Sequence, residues 1–476
     1  MLIQTDGVMP ELPEEDYGEL SLAEAGIAVD VGTSTVAMSL WSLAQKKCLA
    51  CVAEKNCQMR YGYDVIRRIS YASRTPVTGS SQTVESGPSA LHYCIISQLE
   101  KMFSKLVALS SSKVERGCRI NVRRIVITGN TTMLSFVCGF PVDTMAAAPF
   151  KVPSYFGFSA LWNDVRLGKI NDKCVSLDSP TPQVLQLFSS SVIDDDTVVY
   201  FPPCVGAFIG ADLICSMLSA GFPSPKVDSD CNSWELPAKA PILLADIGTN
   251  SEIALFIPPE NNKDGKILCT SAAAGPAFEA ANIDCGMSSV PGAIDRIDCN
   301  GELFCHVIGD IPAKGICGSG LISGCATLLR HRFIDRYGVI QKSVSKLADG
   351  AVCISLTPAV YISQQDIRNM QLAKSAVFTG LSYMIERSPA VPVFCVAGGF
   401  GSHINMDDAC AVGLVPEKLK DRCVSIGNGA LQGAAALLFS KKLRHKAVEL
   451  AKFSFQINLA AVPDFQNRYI SAIDFP

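Results

Sequence analysis

The sequence predicts an α/β protein made of two copies of one unit, and three observations carry that prediction. The apolar residues 242–245 run into Asp246-Ile247-Gly248-Thr249-Asn250-Ser251-Glu252, and a second apolar run begins at Ile253. The same device stands at Asp30-Val31-Gly32-Thr33-Ser34-Thr35, behind residues 26–29. Each copy is followed by alternating apolar residues, then by helical spacing, then by a strand ending in glycine. That glycine is Gly129 in the first half and Gly398 in the second. A single Asp-x-Gly marks many ordinary hairpins. Repetition of a whole strand–meander–helix–strand unit is a far stronger signal than either copy alone.

Composition sets the outer limits. A chain of 476 residues holds two or three domains with ample length for a large core. Hydrophobic content of 48%, charged content of 18% and a mean hydropathy of +0.26 describe a densely packed globular chain. A net charge of −4 and a pI near 5.8 argue against a nucleic-acid partner, which would call for a basic stripe. No apolar run approaches the ~20 residues needed to span a bilayer, and the N-terminus lacks a basic-then-apolar leader. A cytoplasmic protein with no membrane partner is expected. Twenty cysteines then read as reduced thiols. Cys48-x-x-Cys51, with Cys57 close by, has metal-like spacing. No second close pair completes a four-ligand set, so thiols are favoured over a metal or cluster.

Taken in order, residues 1–23 carry Glu11, Glu14, Glu15, Asp16 and Glu19 among Pro10 and Pro13, and read as an acidic tail or linker stub. A first lobe is expected over 24–205. Residues 26–40 give two strands around the first turn and 48–53 a third. Helical spacing follows at 64–72, a Ser/Thr/Gly/Pro-rich loop at 75–88 and an amphipathic helix at 90–109. The strand 124–128 runs into Gly129-Asn130-Thr131-Thr132-Met133, a helix start with polar caps that stops at Gly139-Phe140-Pro141. Such a junction aims backbone amides and a helix dipole at an anion, although an ordinary strand–helix turn has the same outline. Residues 141–200, with Pro149, Pro153, Pro180 and Pro182, read as inserted or peripheral.

A connection is expected over 206–240, opened by Gly206-Ala207-Phe208-Ile209-Gly210-Ala211. The second lobe, 241–425, repeats the meander and then presents Ala272-Ala273-Ala274-Gly275-Pro276-Ala277-Phe278-Glu279. Gly315-Ile316-Cys317-Gly318-Ser319-Gly320 opens a helix at 321–329, a weak signal alone. The helix 367–385 sets Gln371 and Lys374 three apart on one face, where a plain solvated face is the competing reading. Strand 393–397 ends in Gly398-Gly399-Phe400-Gly401, where missing side chains let a flat ligand lie against backbone. Residues 426–476 supply a connecting helix back to the first lobe and a C-terminal segment.

Two such lobes facing each other bring both Asp-x-Gly-Thr hairpins to one cleft, and two carboxylates among hydroxyl-bearing turns suit a magnesium polyphosphate. This arrangement resembles the actin–hexokinase–heat-shock chaperone superfamily of ATPases: duplicated ribonuclease H-like lobes, the actin-like ATPase fold, with an interlobe nucleotide cleft. The resemblance implies ATP and Mg²⁺ as cofactors. Asp30 and Asp246 would hold the metal through water, and Gly32, Thr33, Ser34, Thr35, Gly248, Thr249 and Asn250 would receive the phosphates. Gly275, Gly318, Ser319, Gln371, Lys374, Gly398, Gly399 and Phe400 would complete the nucleotide site. Glu252 or Asn130 would orient the attacking water, and the helices from Gly206 and Gly427 would join the lobes.

A narrower resemblance runs from about residue 24 to the end. Gly129-Asn130-Thr131-Thr132-Met133, Asp246-Ile247-Gly248-Thr249-Asn250, Ala273-Ala274-Gly275-Pro276-Ala277-Phe278-Glu279, Gly315-Ile316-Cys317-Gly318-Ser319-Gly320, Gln371-Leu372-Ala373-Lys374 and Ala397-Gly398-Gly399-Phe400-Gly401 are similar to the ATPase domain of the reductive activators of corrinoid proteins. The resemblance implies ATP-driven reduction of Co(II) to Co(I) on the corrinoid protein of a methyltransferase system in anaerobic metabolism. The electron transfer is uphill, so nucleotide energy must change the cobalt's ligation. Such activators usually carry a ferredoxin-like module. No run of cluster spacing accompanies the motifs here, so a separate ferredoxin-like donor is expected, or another task. Three rivals remain open: a small-molecule kinase of the same fold, an activator holding a [4Fe–4S] cluster between two subunits, and a nucleotide-gated binding module without electron transfer. A homodimer also stays open.

Overall fold

The computed structural model describes residues 5–13, 15, 21, 23–73, 87–110, 120–170, 192–225, 240–261, 263–342, 344–347, 349–398 and 404–476. The chain divides into two compact units, one made of Leu2–Leu236 with Asn428–Gln456, the other of Pro237–Gly427 with Ile457–Pro476.

In the first unit β1 (Glu24–Val31) is apolar at nearly every position and buried along most of its length. A strand of that kind has to be covered on both faces. β2 (Thr35–Ser42) and β3 (Lys47–Lys55) fold back beside it as an antiparallel meander, while β4 (Asn121–Gly129) lies parallel on its other side. With β5 (Phe158–Leu161) and β6 (Val198–Phe201), the sheet order is β3-β2-β1-β4-β6-β5. The helix Gly87–Ser110 covers one face, burying Leu91, Ile95, Leu99, Phe103 and Leu106 against the meander. The helix Gly429–Phe439, buried on all sides, covers β1 and β4 from the other. At its centre Gly433 lets the helix Ala211–Ser219 approach closely: a Cβ there would sit 2.1 Å from the Cys215 carbonyl oxygen.

The second unit repeats the plan. β7 (Ile242–Asp246) pairs antiparallel with β8 (Ser251–Ile257), which pairs with β9 (Lys266–Ala272). On its other side β7 is parallel to Val393–Ala397, and that strand is parallel to Cys423–Gly427. Strand for strand this is β3-β2-β1-β4-β6 over again, the duplicated ribonuclease H-like topology the sequence predicts. The helix Gln364–Ile385 starts in a capping box formed by Ser363 and Asp366. Its apolar side, Ile367, Met370, Ala373, Val377 and Leu381, is fully buried.

Three local readings change. Part of the stretch expected to trail as an acidic tail is fastened down. Thr5 and Asp6 accept, through their carbonyls, from Gln432 Nε2 (3.0 Å) and the Asn428 amide (2.7 Å). The Glu15 carboxylate accepts from the amides of Lys441 (2.9 Å) and Lys442 (3.1 Å), at the N-terminus of Lys441–Lys452, where the helix dipole favours an anion. The stretch 141–200, read as peripheral, supplies β5 and β6, and β6 lies directly beside β4. Its four residues, Val198 to Phe201, are an apolar run too short to stand out beside the prolines. Cys57 is disulfide-bonded to Cys94 on the long helix, where reduced thiols were expected. Among the described residues no helix is long and apolar enough to cross a membrane.

Candidate functional site

Each unit places one Asp-x-Gly-Thr turn at the end of its first strand, and the two turns are held in different ways. In the first, Asp30 is half-buried and its Oδ2 accepts from Asn428 Nδ2 at 3.1 Å. Gly32 turns so tightly that a Cβ would lie 2.8 Å from the Thr35 carbonyl oxygen. Behind the turn, Asn56 donates from Nδ2 to the Gly32 carbonyl (2.8 Å) and from its amide to the Ser34 carbonyl (2.9 Å). Arg68, wholly buried, donates to the Thr33 carbonyl at 2.6 Å and to the Gly62 carbonyl at 2.9 Å. Three successive carbonyls are therefore tied back into protein. A backbone turn must dispose of its carbonyls in this way if its N–H groups are to face an anion.

Asn130 joins this turn. As N-cap of Thr131–Cys138 its Oδ1 accepts from the Met133 amide (2.9 Å), while Nδ2 donates to Thr33 Oγ1 at 3.1 Å. Gly129, at φ +156°, is required because a Cβ would lie 2.6 Å from the Val31 carbonyl oxygen. Burial, with Asp212 and Asp30 nearby, pushes the Cys215 thiol well up, so a neutral sulfhydryl underlies this carboxylate.

In the second unit Asp246 closes β7, opposite Glu252 across the hairpin and beside Ala397 on the parallel strand. Gly398 follows at φ +93°, and a Cβ on it would come 2.9 Å from both Asp246 Oδ1 and the Ile247 carbonyl oxygen. Thr249 is the most telling residue. Its amide (2.9 Å) and its hydroxyl (2.8 Å) both donate to one oxygen, Oε1 of Glu279. This turn thus receives an anionic oxygen on two convergent donors, the donor set a phosphate oxygen requires. The Gly275 amide donates to the Thr249 carbonyl at 2.9 Å, and Gly275 (φ +76°) has open space where a Cβ would be. Glu252 Oε1 accepts from Ser271 Oγ at 3.4 Å. Residues Asp246, Gly248, Thr249, Glu252, Gly275 and Gly398 are therefore brought together.

Gly318 and Ser319 open the helix Gly318–Arg330, which packs against the short turn Pro276–Glu279. Gln371 and Lys374 are held by residues of another part of the same unit. Both are buried; Gln371 Nε2 donates to the carbonyls of Tyr337 and Ile473, each at 3.2 Å, and Lys374 donates to the Asp474 carbonyl beneath the Phe475 ring. Burial lowers the Lys374 ammonium to about 8. Gly399 and Phe400 lie outside the described residues.

Four residues of the turns escape the sequence reading: Asn56, Arg68, Asn428 and Glu279. Arg68 lies within the helical spacing at 64–72 and has no task in that reading, yet it is fully buried. Glu279 ends a quoted motif without being assigned a task, and Asn428 lies between two glycines as an unremarked cap. The groups around each turn are hard oxygen acceptors and N–H donors, the chemistry that a polyphosphate and a hydrated Mg²⁺ call for.

A family model described as the C-terminal domain of RACo, the ASKHA domain, matches residues 240–476, and one described as the RACo middle region matches residues 25–167. "Corrinoid activation enzyme RamQ" of Eubacterium limosum is 28% identical over 473 residues, covering 94% of this chain and 69% of that protein. A Co(II) methylated amine-specific corrinoid protein reductase of Methanosarcina barkeri is 24% identical, covering 94% of this chain and 77% of its own. Among solved structures, a "reductive activator for corrinoid,iron-sulfur protein" superposes with a TM-score of 0.78 at 27% identity, covering 96% of this chain and 67% of that one. With both halves matched by models of one family and the fold matched along nearly its whole length, this chain belongs to the reductive activators of corrinoid proteins, ATPases of the actin-like fold.

Proposed function

We propose that this protein is an ATP-dependent activator that returns the corrinoid cofactor of a methyltransferase system from Co(II) to Co(I). The observation that carries the reading is the 0.78 TM-score match, over 96% of the chain, to a reductive activator of a corrinoid protein. The two relatives named for corrinoid activation and Co(II) corrinoid protein reduction support it. Each unit contributes one Asp-x-Gly-Thr turn to nucleotide binding: Thr33, Ser34 and Thr35 from one, Thr249 and Asn250 from the other. Asp30 and Asp246 hold the waters of Mg²⁺. Bound MgATP supplies the free energy for an uphill reduction, and the protein's own part is to bind the phosphates, keep bulk water from them and change shape on closure. In this reading the electron comes from a separate low-potential iron–sulfur protein. Co(I) chemistry needs a reducing compartment, and the cytoplasm is part of the proposal.

The test is anaerobic. The protein is mixed with candidate Co(II)-corrinoid proteins, a reductant and ATP, and Co(I) absorbance is followed. Growth of the Co(I) band only in the presence of ATP is the expected result. No ATP-dependent change with any candidate, or phosphate transfer to a small metabolite instead, would sink the reading.

A further inference from the structure

The second phosphate turn already carries an anion of the protein's own. Both donors of Thr249 converge on Glu279 Oε1, at 2.9 Å from the amide and 2.8 Å from the hydroxyl. That oxygen also lies 3.3 Å from where a Cβ of Gly248 would be, so it sits against the turn's glycine as an incoming phosphate oxygen would. The backbone under Glu279 is fixed. The short turn Pro276–Glu279 is entered through Gly275 and left through Ala280 in the left-handed region, and Ala277 and Phe278 beside the glutamate are buried. Glu279 itself is only half-buried, on a side chain with three rotatable bonds. It can leave the turn by rotation, without moving the chain.

We infer that Glu279 is an internal occupant of the phosphate seat, which nucleotide phosphate displaces from Thr249. This rests on the nucleotide reading of the turn proposed above. No covalent step is involved: two hydrogen bonds pass from carboxylate to phosphate, and the released carboxylate turns to solvent. Two anions cannot share one pair of donors without strong repulsion, so occupancy by phosphate and by Glu279 is mutually exclusive. In the absence of nucleotide the glutamate keeps the turn's buried donors satisfied, which a bare turn would leave at a cost. If the turn takes an outer phosphate of the nucleotide, a monophosphate does not compete with this charge.

Glu279→Gln separates this from a purely structural role. The amide oxygen still accepts from Thr249, so the turn keeps its shape, while the competing charge is gone. Binding of MgATP, MgADP and AMP is measured by calorimetry on the full chain and on the variant. The expected result is about tenfold tighter MgATP binding by the variant, narrowing as salt is raised, with AMP unchanged. Unchanged or weaker MgATP binding by Glu279→Gln, with the wild-type protein binding normally, overturns the inference and leaves the nucleotide reading standing. No MgATP binding by either protein overturns both. Glu279→Asp, which keeps the charge but draws it back by one methylene, provides the second arm if the glutamine variant does not fold: tighter MgATP binding of smaller size supports the exchange, and equal or weaker binding overturns it.

Discussion

At the scale of single residues, the turns owe their shape to the groups behind them more than to their own side chains. Arg68 is the clearest case. It is fully buried and gives hydrogen bonds to the Thr33 and Gly62 carbonyls. Arg68→Met keeps the bulk and leaves those acceptors without this donor, a loss of about 2–4 kcal/mol when buried groups are orphaned. The expected outcome is a lower melting temperature together with weaker ATP binding; an unchanged melting temperature would contradict the assigned role. Gly398→Ala tests the other turn. The left-handed backbone at φ +93° strains any side chain, and the new methyl would press on Asp246 Oδ1. Strain of about 1–3 kcal/mol is expected from the backbone alone. ATP hydrolysis should fall at least tenfold while circular dichroism stays native. Asp30, Thr33, Asp246 and Thr249 are legible in the sequence because the motif repeats. Arg68 and Glu279 are not, since an amphipathic count places charge outside and nothing local says that a carboxylate folds back onto Thr249.

At the scale of elements, the helix Gln364–Ile385 shows what pattern does and does not carry. Its apolar spacing announces the helix, and Ser363 with Asp366 marks its start. The use of its polar side is hidden, because Gln371 and Lys374 reach Ile473 and Asp474, about a hundred positions away. The same limit hides β6, whose place beside β4 depends on pairing and not on its own four residues. Lys374 has a consequence for pH. Its folded value is about 8 against an ordinary 10.5, because burial disfavours the charged form. Between those values the unfolded chain binds more protons than the folded one, so this group makes stability rise as pH rises from about 8 to about 10.5. Buried thiols pushed upward act oppositely, but they do so in every variant and cancel in a difference. Denaturation midpoints of wild type and Lys374→Met, taken from pH 7 upward, should therefore diverge in favour of wild type above pH 8. A constant gap would show that the ammonium is not desolvated.

At the scale of the whole molecule, duplication is the feature that makes the chain readable. Two sheets with the same order over five strands place Asp30 and Asp246 at equivalent strand ends, each with a glycine junction on the neighbouring parallel strand. Equivalent positions need not do equivalent work, and the surroundings already differ. Asp30 is held by Asn428, whereas Asp246 stands against Gly398, on a turn whose threonine carries Glu279. If both carboxylates hold water on one Mg²⁺, they act as a unit, and removing either one costs nearly as much as removing both. Asp30→Asn and Asp246→Asn preserve size and most hydrogen bonding while removing charge. Each should reduce the rate of ATP-dependent Co(I) formation by at least about a hundredfold, and the double variant should add less than about tenfold more. Single-turnover absorbance of the corrinoid partner, with CD confirming the fold of each variant, measures this directly. Losses that multiply in the double variant would mean that the repeated turns serve two independent events, and the shared-metal reading would fall.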